Sequence, residues 1–428
     1  MNHAHHIESF KVDCDAVPPY TPSPPSPSYS TNPLPGEQSI EHTRHASLQP
    51  LNGVCRRITD TVTVVLRDQR PGSIHPTYDR GGVVRGDLIL KSADDLTSVT
   101  LKLEGLLFVE KSGVSITTTL CSMTYSMWSA SQGRPCPQKI PFAAILPLTF
   151  EDGGHPRRLP PTFAASEPHV VCSYSLIVEL SRPRQFLHFL RARETVRVLT
   201  VVLCRVRVPF IYRPRSRPHR PMLPSDLPFM ITVKSSPEEW HQIMCTVDVS
   251  KVSTLDPIQC LLFIPSVQVY ALSDTIPFHL QIRGSPASLV PFLEQIQTSG
   301  VPSHLGGGVT IRVYLLRQTG IKIHERSLAS SRVLGEGEME PSHALPSKHH
   351  VLQRHPLGEG LDSLDWEGEI RCSDNAAVPS FVTSQLYVKD LITISITPRQ
   401  PLESPLLSVK HFHPIRLVTD TWTNEVIN

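Results

Sequence analysis

Alternation of apolar and polar residues in two neighbouring stretches constrains the fold of this chain more than any other feature. In residues 99–103 every second side chain is apolar, and Leu88 and Leu90 show the same spacing upstream. A period of two places one side of a strand against a core and the other in water, as in antiparallel sheets. Residues 92–95 between the stretches supply turn chemistry. The pattern predicts two adjacent antiparallel strands.

Similar segments return about two hundred residues later, in the same order. Residues 99–103 (Val-Thr-Leu-Lys-Leu) are echoed by residues 309–313 (Val-Thr-Ile-Arg-Val). Residues 159–163 (Leu-Pro-Pro-Thr-Phe) are echoed by residues 378–381 (Val-Pro-Ser-Phe). A chain of 428 residues is also long enough for two or three domains. These features predict an all-β protein with two similar antiparallel β-sandwiches in tandem.

The N-terminal segment differs from the rest of the chain in composition. Residues 15–36 are dense in proline, serine, threonine and tyrosine and contain little apolar surface to bury. This composition favours disorder with polyproline II character. We therefore expect four regions: a disordered tail over 1–51, a first sandwich over 52–222, a second over 223–398 and a C-terminal tail over 399–428. Residues 325–364, rich in serine, histidine and glycine, predict a long mobile loop.

Two motifs in the N-terminal tail have the form x-Pro-x-Tyr, at residues 17–20 and 26–29. They are relaxed versions of the Pro-Pro-x-Tyr ligand of WW domains, whose aromatic grooves bind a preformed polyproline helix at low entropic cost. Neither has prolines at both of its first two positions, and a proline-rich linker with incidental tyrosines explains them equally well. The candidate ligand residues are Pro18, Pro19, Tyr20, Pro27 and Tyr29.

The most polarised stretch is residues 182–220, which contains 11 arginines and one acidic residue. Guanidinium groups bind phosphate through paired hydrogen bonds, so anionic lipid headgroups or phosphorylated cargo are natural targets. A solvated strand face with a stiff interdomain linker is the alternative. Nucleic acid is disfavoured because no set of stacking aromatic residues accompanies the arginines. The candidate site residues are Arg213, Arg215, Arg217 and Arg220.

Catalytic and metal-binding signatures are missing from the sequence. There is no nucleophile elbow, no phosphate-binding loop and no set of metal ligands at suitable spacing. The nine cysteines form no Cys-x-x-Cys pair, and the net charge of +2 gives no global attraction to polyanions. The N-terminus lacks signal-peptide character, and arginines interrupt the most apolar window, residues 196–208. We expect a cytosolic, non-enzymatic protein without metal or cofactor.

Several blocks resemble, in the same order, those of fungal arrestin-like proteins, also called alpha-arrestins or arrestin-related trafficking adaptors. Tyr78 and residues 81–86 (Gly-Gly-Val-Val-Arg-Gly) look like the opening of an arrestin N-domain. Residues 141–147 and 159–163 resemble the next two blocks, and residues 208–218 resemble the strand that closes the domain. Together these blocks cover most of the chain between residues 54 and 397.

The resemblance implies two arrestin-like sandwiches in an adaptor at the cytoplasmic side of the plasma membrane or endosomes. Such adaptors link membrane transporters or receptors to a HECT-type ubiquitin ligase, for endocytosis and protein transport. The tail tyrosine motifs would then recruit the ligase, and the arginines would contact acidic membrane or cargo. The alternative is a sorting scaffold similar to a retromer subunit, which shares the architecture and needs no ligase motif.

Overall fold

The fold is mostly β, which confirms the predicted all-β class. The structure is a computed structural model in which we describe the following residues: 36–39, 52–185, 199–223, 227–293, 308–323, 326–342, 362–372 and 378–423. Most of the expected N-terminal tail lies outside these residues. Within them, only two α-helices occur, α1 (Phe229–Ser235) and α2 (Pro286–Leu293), beside short 3-10 turns at Ala130–Gln132 and Pro237–Glu239.

The N-terminal half of the described chain contains fourteen strands: β1 (Glu37–Ser39), β2 (Gly53–Ile58), β3 (Val62–Gln69), β4 (Thr77–Tyr78), β5 (Val83–Leu90), β6 (Ser98–Lys111), β7 (Val114–Ser129), β8 (Lys139–Ile145), β9 (Thr149–Asp152), β10 (His155–Arg158), β11 (Phe163–Ala165), β12 (His169–Gln185), β13 (Leu199–Tyr212) and β14 (Ser216–Pro218). One sheet has the order β2-β3-β5-β8 and another the order β4-β13-β12-β6-β7, with β11 beside β12. Side chains of both sheets share one core, and the predicted alternation is confirmed because Leu88, Leu90 and Leu101 are buried there.

The described residues of the C-terminal half form ten strands: β15 (Trp240–Val247), β16 (Ile258–Pro265), β17 (Val269–Ala271), β18 (Thr275–Gly284), β19 (Val309–Ile323), β20 (Arg326–Pro341), β21 (Asp362–Arg371), β22 (Phe381–Val382), β23 (Leu386–Pro398) and β24 (Val409–Val418). One run of neighbours is β15-β16-β18-β21 and the other is β17-β24-β23-β19-β20, with β22 beside β23. Pairing of β20 with β21 joins both runs into one curled sheet around a second core.

The two halves repeat the same strand order. The run β4-β13-β12-β6-β7 corresponds position by position to β17-β24-β23-β19-β20, and β11 occupies the place of β22. Both β4 and β17 pair in parallel with the last long strand of their half. A glycine also faces a tyrosine in each half, but Gly105 and Tyr174 lie on the core side of their ladder, whereas Gly320 and Tyr387 lie on the outer side of theirs. The correspondence therefore holds for whole strands, and the echoed residues 99–103 and 309–313 lie on the corresponding strands β6 and β19.

The halves meet through the second pair of echoed segments. The rings of Phe163 on β11 and Phe381 on β22 lie edge to face, with centroids 5.6 Å apart. Nearby, the Ser384 backbone N–H donates to Asp152 Oδ2 at 2.7 Å. Phe381 and residues at the ends of β19 and β23 belong to the core of the N-terminal half. The contact between the halves is therefore both apolar and hydrogen-bonded.

Two sequence expectations about secondary structure differ from the structure. Residues 229–234, expected as a strand, form helix α1, because Phe229 and Thr232 are spaced to bury one helical face. The segment expected as a loop over 325–364 includes strand β20 and the start of strand β21. Most side chains of β20 are exposed, so the sequence shows no apolar alternation there, and the strand is held by its ladders with β19 and β21. Residues 343–361 lie outside the described part.

Strands also occur in the two segments that were expected as tails. The C-terminal tail expected over 399–428 contains β24, which pairs with β23 and β17 because Leu417 and Val418 are fully buried in the second core. The N-terminal tail expected over 1–51 contains β1, which pairs with β14 in an antiparallel ladder. Both segments therefore extend the folded body beyond the boundaries that composition indicated.

Candidate functional site

Four charged side chains from distant parts of the chain meet where the two halves join, and we call them the polar cluster: Glu37, Arg80, Arg158 and Arg416. Glu37 Oε1 lies 3.7 Å from Arg158 Nη1, and Oε2 lies 2.9 Å from Arg416 Nη2. Glu37 and Arg80 are almost completely buried. The cluster thus joins the N-terminal segment, the first half and the last strand by charge.

Backbone contacts position Glu37 within the polar cluster. Its strand β1 pairs with β14, so that Glu37 lies opposite Pro218. The His219 backbone N–H donates to the Gly36 carbonyl at 3.0 Å, and the His219 ring Nδ1 donates to the same oxygen at 2.8 Å. Gly36 adopts a positive φ of 86°, which a residue with a Cβ rarely takes. The bend at Gly36 directs the chain into this ladder.

The polar cluster borders a small cavity of about 60 Å³ with an excess of positive charge. Four arginines and one carboxylate, Glu37, line it, together with proline and aromatic residues of both halves. Burial lowers the pKa of Arg158, the charges of Arg80 and Arg416 lower it further, and Glu37 opposes the shift. Burial also raises the pKa of Tyr212, which therefore stays neutral. The cavity is suited to hold an acidic group, and Glu37 supplies one.

A second contact holds the segment that follows β24. Arg215 forms a bidentate ion pair with Asp420. Its Nη2 lies 2.6 Å from Oδ1, and its Nε lies 3.1 Å from Oδ2. The Ser216 N–H donates to Thr419 Oγ1 at 2.8 Å, and the Asp420 N–H donates back to the Ser216 carbonyl. Strand β14 therefore pairs with the N-terminal strand β1, while Arg215 and Ser216 bind the segment that follows β24.

A buried ion pair supports the polar cavity from the C-terminal half. Arg317 Nε donates to Asp390 Oδ1 at 2.7 Å and Nη2 donates to Oδ2 at 3.0 Å. Ser380, which lines the cavity, donates to Asp390 Oδ2 at 2.6 Å and accepts from the Leu417 N–H at 3.2 Å. The network connects β19, β23 and β24, so it fixes the strand that carries Arg416.

The structure places the predicted arginines largely in internal contacts. Arg215 pairs with Asp420, Arg217 donates to Gln38 and Thr423, and Arg220 donates to Ser266 at 2.8 Å. Arg213 is exposed as a residue, and the other three are half-buried. These contacts favour the structural alternative for three of the four arginines. The predicted ligand residues Pro18, Pro19, Tyr20, Pro27 and Tyr29 lie outside the described residues.

Sequence reasoning missed every member of the polar cluster. Glu37 is the first acidic residue after a long proline-rich stretch without acids, which is the one local signal that it has a special environment. Arg80, Arg158 and Arg416 lie far apart in the sequence, and only the closure of both halves brings them together. Their positions in the sequence therefore could not predict that they meet in the folded chain.

Two negative findings apply to the described part of the chain. No group of three or more histidine, cysteine or acidic side chains is arranged to hold a metal ion there. Within the same residues, no helix combines the length and apolar character needed to cross a membrane.

Comparison of the chain with protein-family models and with curated proteins gave no match. The arrestin-like resemblance therefore depends on the sequence blocks.

Proposed function

We propose that this protein is an arrestin-like adaptor that links membrane transporters or receptors to a HECT-type ubiquitin ligase. In this proposal it has a binding function and no catalytic one, and it acts in endocytosis and protein transport. Its place is the cytoplasm, peripherally at the plasma membrane or endosomes. The two halves would be arrestin-like β-sandwiches in tandem, with the proline-rich tail as the ligase-binding segment.

The repeated strand order supports the tandem part of the proposal. Each half has a four-strand run and a five-strand run with a short extra strand, and the two runs of each half share one core. Packing of two sheets around a shared core is the general architecture of a β-sandwich.

Docking of Glu37 in the polar cluster is the observation that carries the adaptor proposal. Tyr29 precedes Glu37 by only eight residues in the sequence. Because a fully extended chain spans at most about 3.5 Å per residue, Tyr29 lies within roughly 30 Å of the anchored carboxylate. The anchor would thus keep the Tyr29 motif close to the junction of two binding domains and the Tyr20 motif, 17 residues before Glu37, within roughly 60 Å of it.

Proximity labelling of the full chain in its native cell tests this function. The intact protein should label a HECT-type ligase together with transporters or receptors. The Tyr20→Ala/Tyr29→Ala variant should lose the ligase and keep the membrane proteins, because only the tail motifs change. Labelling of sorting proteins without a ligase by both forms would favour the retromer-like scaffold, and labelling of neither class would contradict both.

A further inference from the structure

A groove on the outer face of the C-terminal half combines an apolar floor with an acidic rim, and we call it the acidic groove. It has a volume of about 730 Å³ and lies between helix α1 and strands β20 and β21. The floor includes Leu227, Phe229, Trp240 and Pro277. The rim carries four glutamates, Glu338, Glu340, Glu367 and Glu369. From this arrangement we infer that the groove binds a basic peptide segment that also carries apolar side chains.

The rim places like charges directly opposite each other on neighbouring strands. Glu338 faces Glu369, and Glu340 faces Glu367, across the β20–β21 ladder. All four side chains are exposed. Like charges in this arrangement destabilise a sheet. Among the described residues, Arg371 lies 3.4 Å from Glu369, and His279 Nδ1 lies 3.8 Å from Glu367. An incoming row of cations would relieve the repulsion.

The floor of the acidic groove is preorganised by aromatic contacts. Phe229 stacks on His279 with ring centroids 4.0 Å apart and planes 12° apart. Trp240 meets Phe229 edge to face at 4.9 Å, while its Nε1 donates to Thr232 Oγ1 at 2.9 Å. Leu227 is 51% exposed beside them. An apolar side chain that enters the groove would therefore cover surface that is already ordered and open to water.

A buried histidine lies beside the rim. His279 is 1% exposed, and its Nε2 donates to Asp365 Oδ1 at 3.0 Å. Its Nδ1 lies 3.8 Å from Glu367 Oε1 and has no hydrogen-bond partner among the described residues. The hydrogen bond to Asp365 thus fixes the ring beside the rim, whose four exposed carboxylates match a ligand rich in ammonium or guanidinium groups.

The chemistry of the groove selects one class of partner. Cytoplasmic segments next to membrane spans carry an excess of lysine and arginine adjoining apolar residues. Such a segment of a membrane protein fits both the rim and the floor, whereas an anionic lipid surface would be repelled by the four glutamates. The groove would thus be the cargo-binding surface. The choice of a membrane protein as the partner rests on the proposed adaptor function, whereas the preference for a basic, apolar peptide rests on the groove itself.

Fluorescence anisotropy on the full chain tests the inference. The probe is a fluorescein-labelled peptide that alternates lysine or arginine with leucine or phenylalanine, and its counterpart has glutamate at every basic position. The intact protein should bind the basic probe and not the acidic one. The variant E338Q/E340Q/E367Q/E369Q should bind roughly tenfold more weakly, since each exposed ion pair contributes about a factor of two. L227S should weaken binding about threefold by removing apolar floor.

Matched variants separate the groove from general charge. D60N/D94N/E151Q/D256N removes four exposed carboxylates elsewhere and should leave probe binding unchanged. The quadruple rim variant should unfold at a higher temperature than the intact chain, because repulsion is removed, so weaker binding would not reflect misfolding. Equal loss of binding in both quadruple variants, or no loss in either, would overturn the inference. Binding of WW domains to the tail is measured separately, so failure of the groove and failure of the proposed function are distinguishable.

Discussion

Glu37 and Arg416 lie near opposite ends of the sequence and form an ion pair, with Glu37 Oε2 and Arg416 Nη2 2.9 Å apart. The Glu37 side chain is 3% exposed and that of Arg416 is 18% exposed. The pair joins the first described strand to the last one. It therefore closes the N-terminal segment onto the boundary between the halves.

Neutralising Glu37 should loosen this closure. Glu37→Gln leaves the arginines of the polar cluster without their buried carboxylate, so we expect a loss of about 3 kcal/mol in the free energy of unfolding. Limited proteolysis should also cut sooner near residue 40. Gln38→Ala, which removes one exposed contact to Arg217, is the control and should stay within about 0.5 kcal/mol. Equal stability and equal cleavage of both variants would show that Glu37 anchors nothing.

The Arg317–Asp390 pair predicts a strongly non-additive pair of substitutions. Asp390→Asn leaves the buried Arg317 charge without its counter-ion and should cost about 3–5 kcal/mol. Arg317→Met combined with Asp390→Leu removes both charges and should cost clearly less than Asp390→Asn alone. Urea unfolding of Arg317→Met, Asp390→Leu and the variant with both changes measures the coupling. Simple addition of the single effects would contradict a shared buried network.

Two glycines that lie against tyrosine rings should not tolerate a Cβ. A Cβ at Gly105 would lie 2.6 Å from Tyr174 Cε1, and a Cβ at Gly320 would overlap the Tyr387 ring. Gly105→Ala and Gly320→Ala should each cost about 1–3 kcal/mol through overpacking. Gly284→Ala is the control, since its Cβ would meet Ile258 Cγ1 at an ordinary 3.4 Å. Thermal melts in which Gly105→Ala or Gly320→Ala is as stable as Gly284→Ala would contradict this close packing.

Three histidines on β15 and β24 predict a loss of stability on acidification. Burial and the neighbouring His241 and His411 lower the pKa of His413 to about 4, and its ring packs 4.7 Å from that of His241. The unfolded chain, with a histidine pKa near 6.5, binds more protons than the folded one between these values, so stability falls as pH drops from about 6.5 toward 4.

The corresponding measurement is urea unfolding across that pH range. His413→Gln should reduce the slope of stability against pH, because it removes the proton-binding group and its amide can still donate to Gln268 Oε1. We expect the difference to reach about 2 kcal/mol after allowance for solvent screening. An identical slope in both proteins would exclude His413 as its source.

The sequence predicted those parts of the fold in which burial follows a local period. β5 and β6 alternate because one face of each lies on the core, and the alternation was visible residue by residue. β20 escaped prediction because most of its side chains are exposed and the ladders of β19 and β21 hold it. A strand held mainly by backbone hydrogen bonds need not show a pattern of alternating apolar residues.

The candidate site was harder to predict than the fold. A dense run of arginines drew attention to Arg213–Arg220, yet the local density mainly reflects contacts such as Arg215 with Asp420. The polar cluster has one member from each of four distant segments, so no window of sequence contains it. The acidic groove did have a local signal, since glutamate occupies every second position at 336–340 and again at 367–369. That period indicates two strands with acidic faces.

Titration of the full chain with a tandem WW fragment of a HECT-type ligase tests the adaptor account most directly. Tyr20 and Tyr29 are nine residues apart, and a polyproline chain of that length reaches roughly 28 Å, so both motifs could bind one ligase at once. The account predicts measurable binding to the intact chain, and the same affinity for the control Phe10→Ala. Tyr20→Ala or Tyr29→Ala alone should bind at least tenfold more weakly, and the double variant should not bind. Binding that is undetectable in the intact chain, or equal in the double variant, would contradict it.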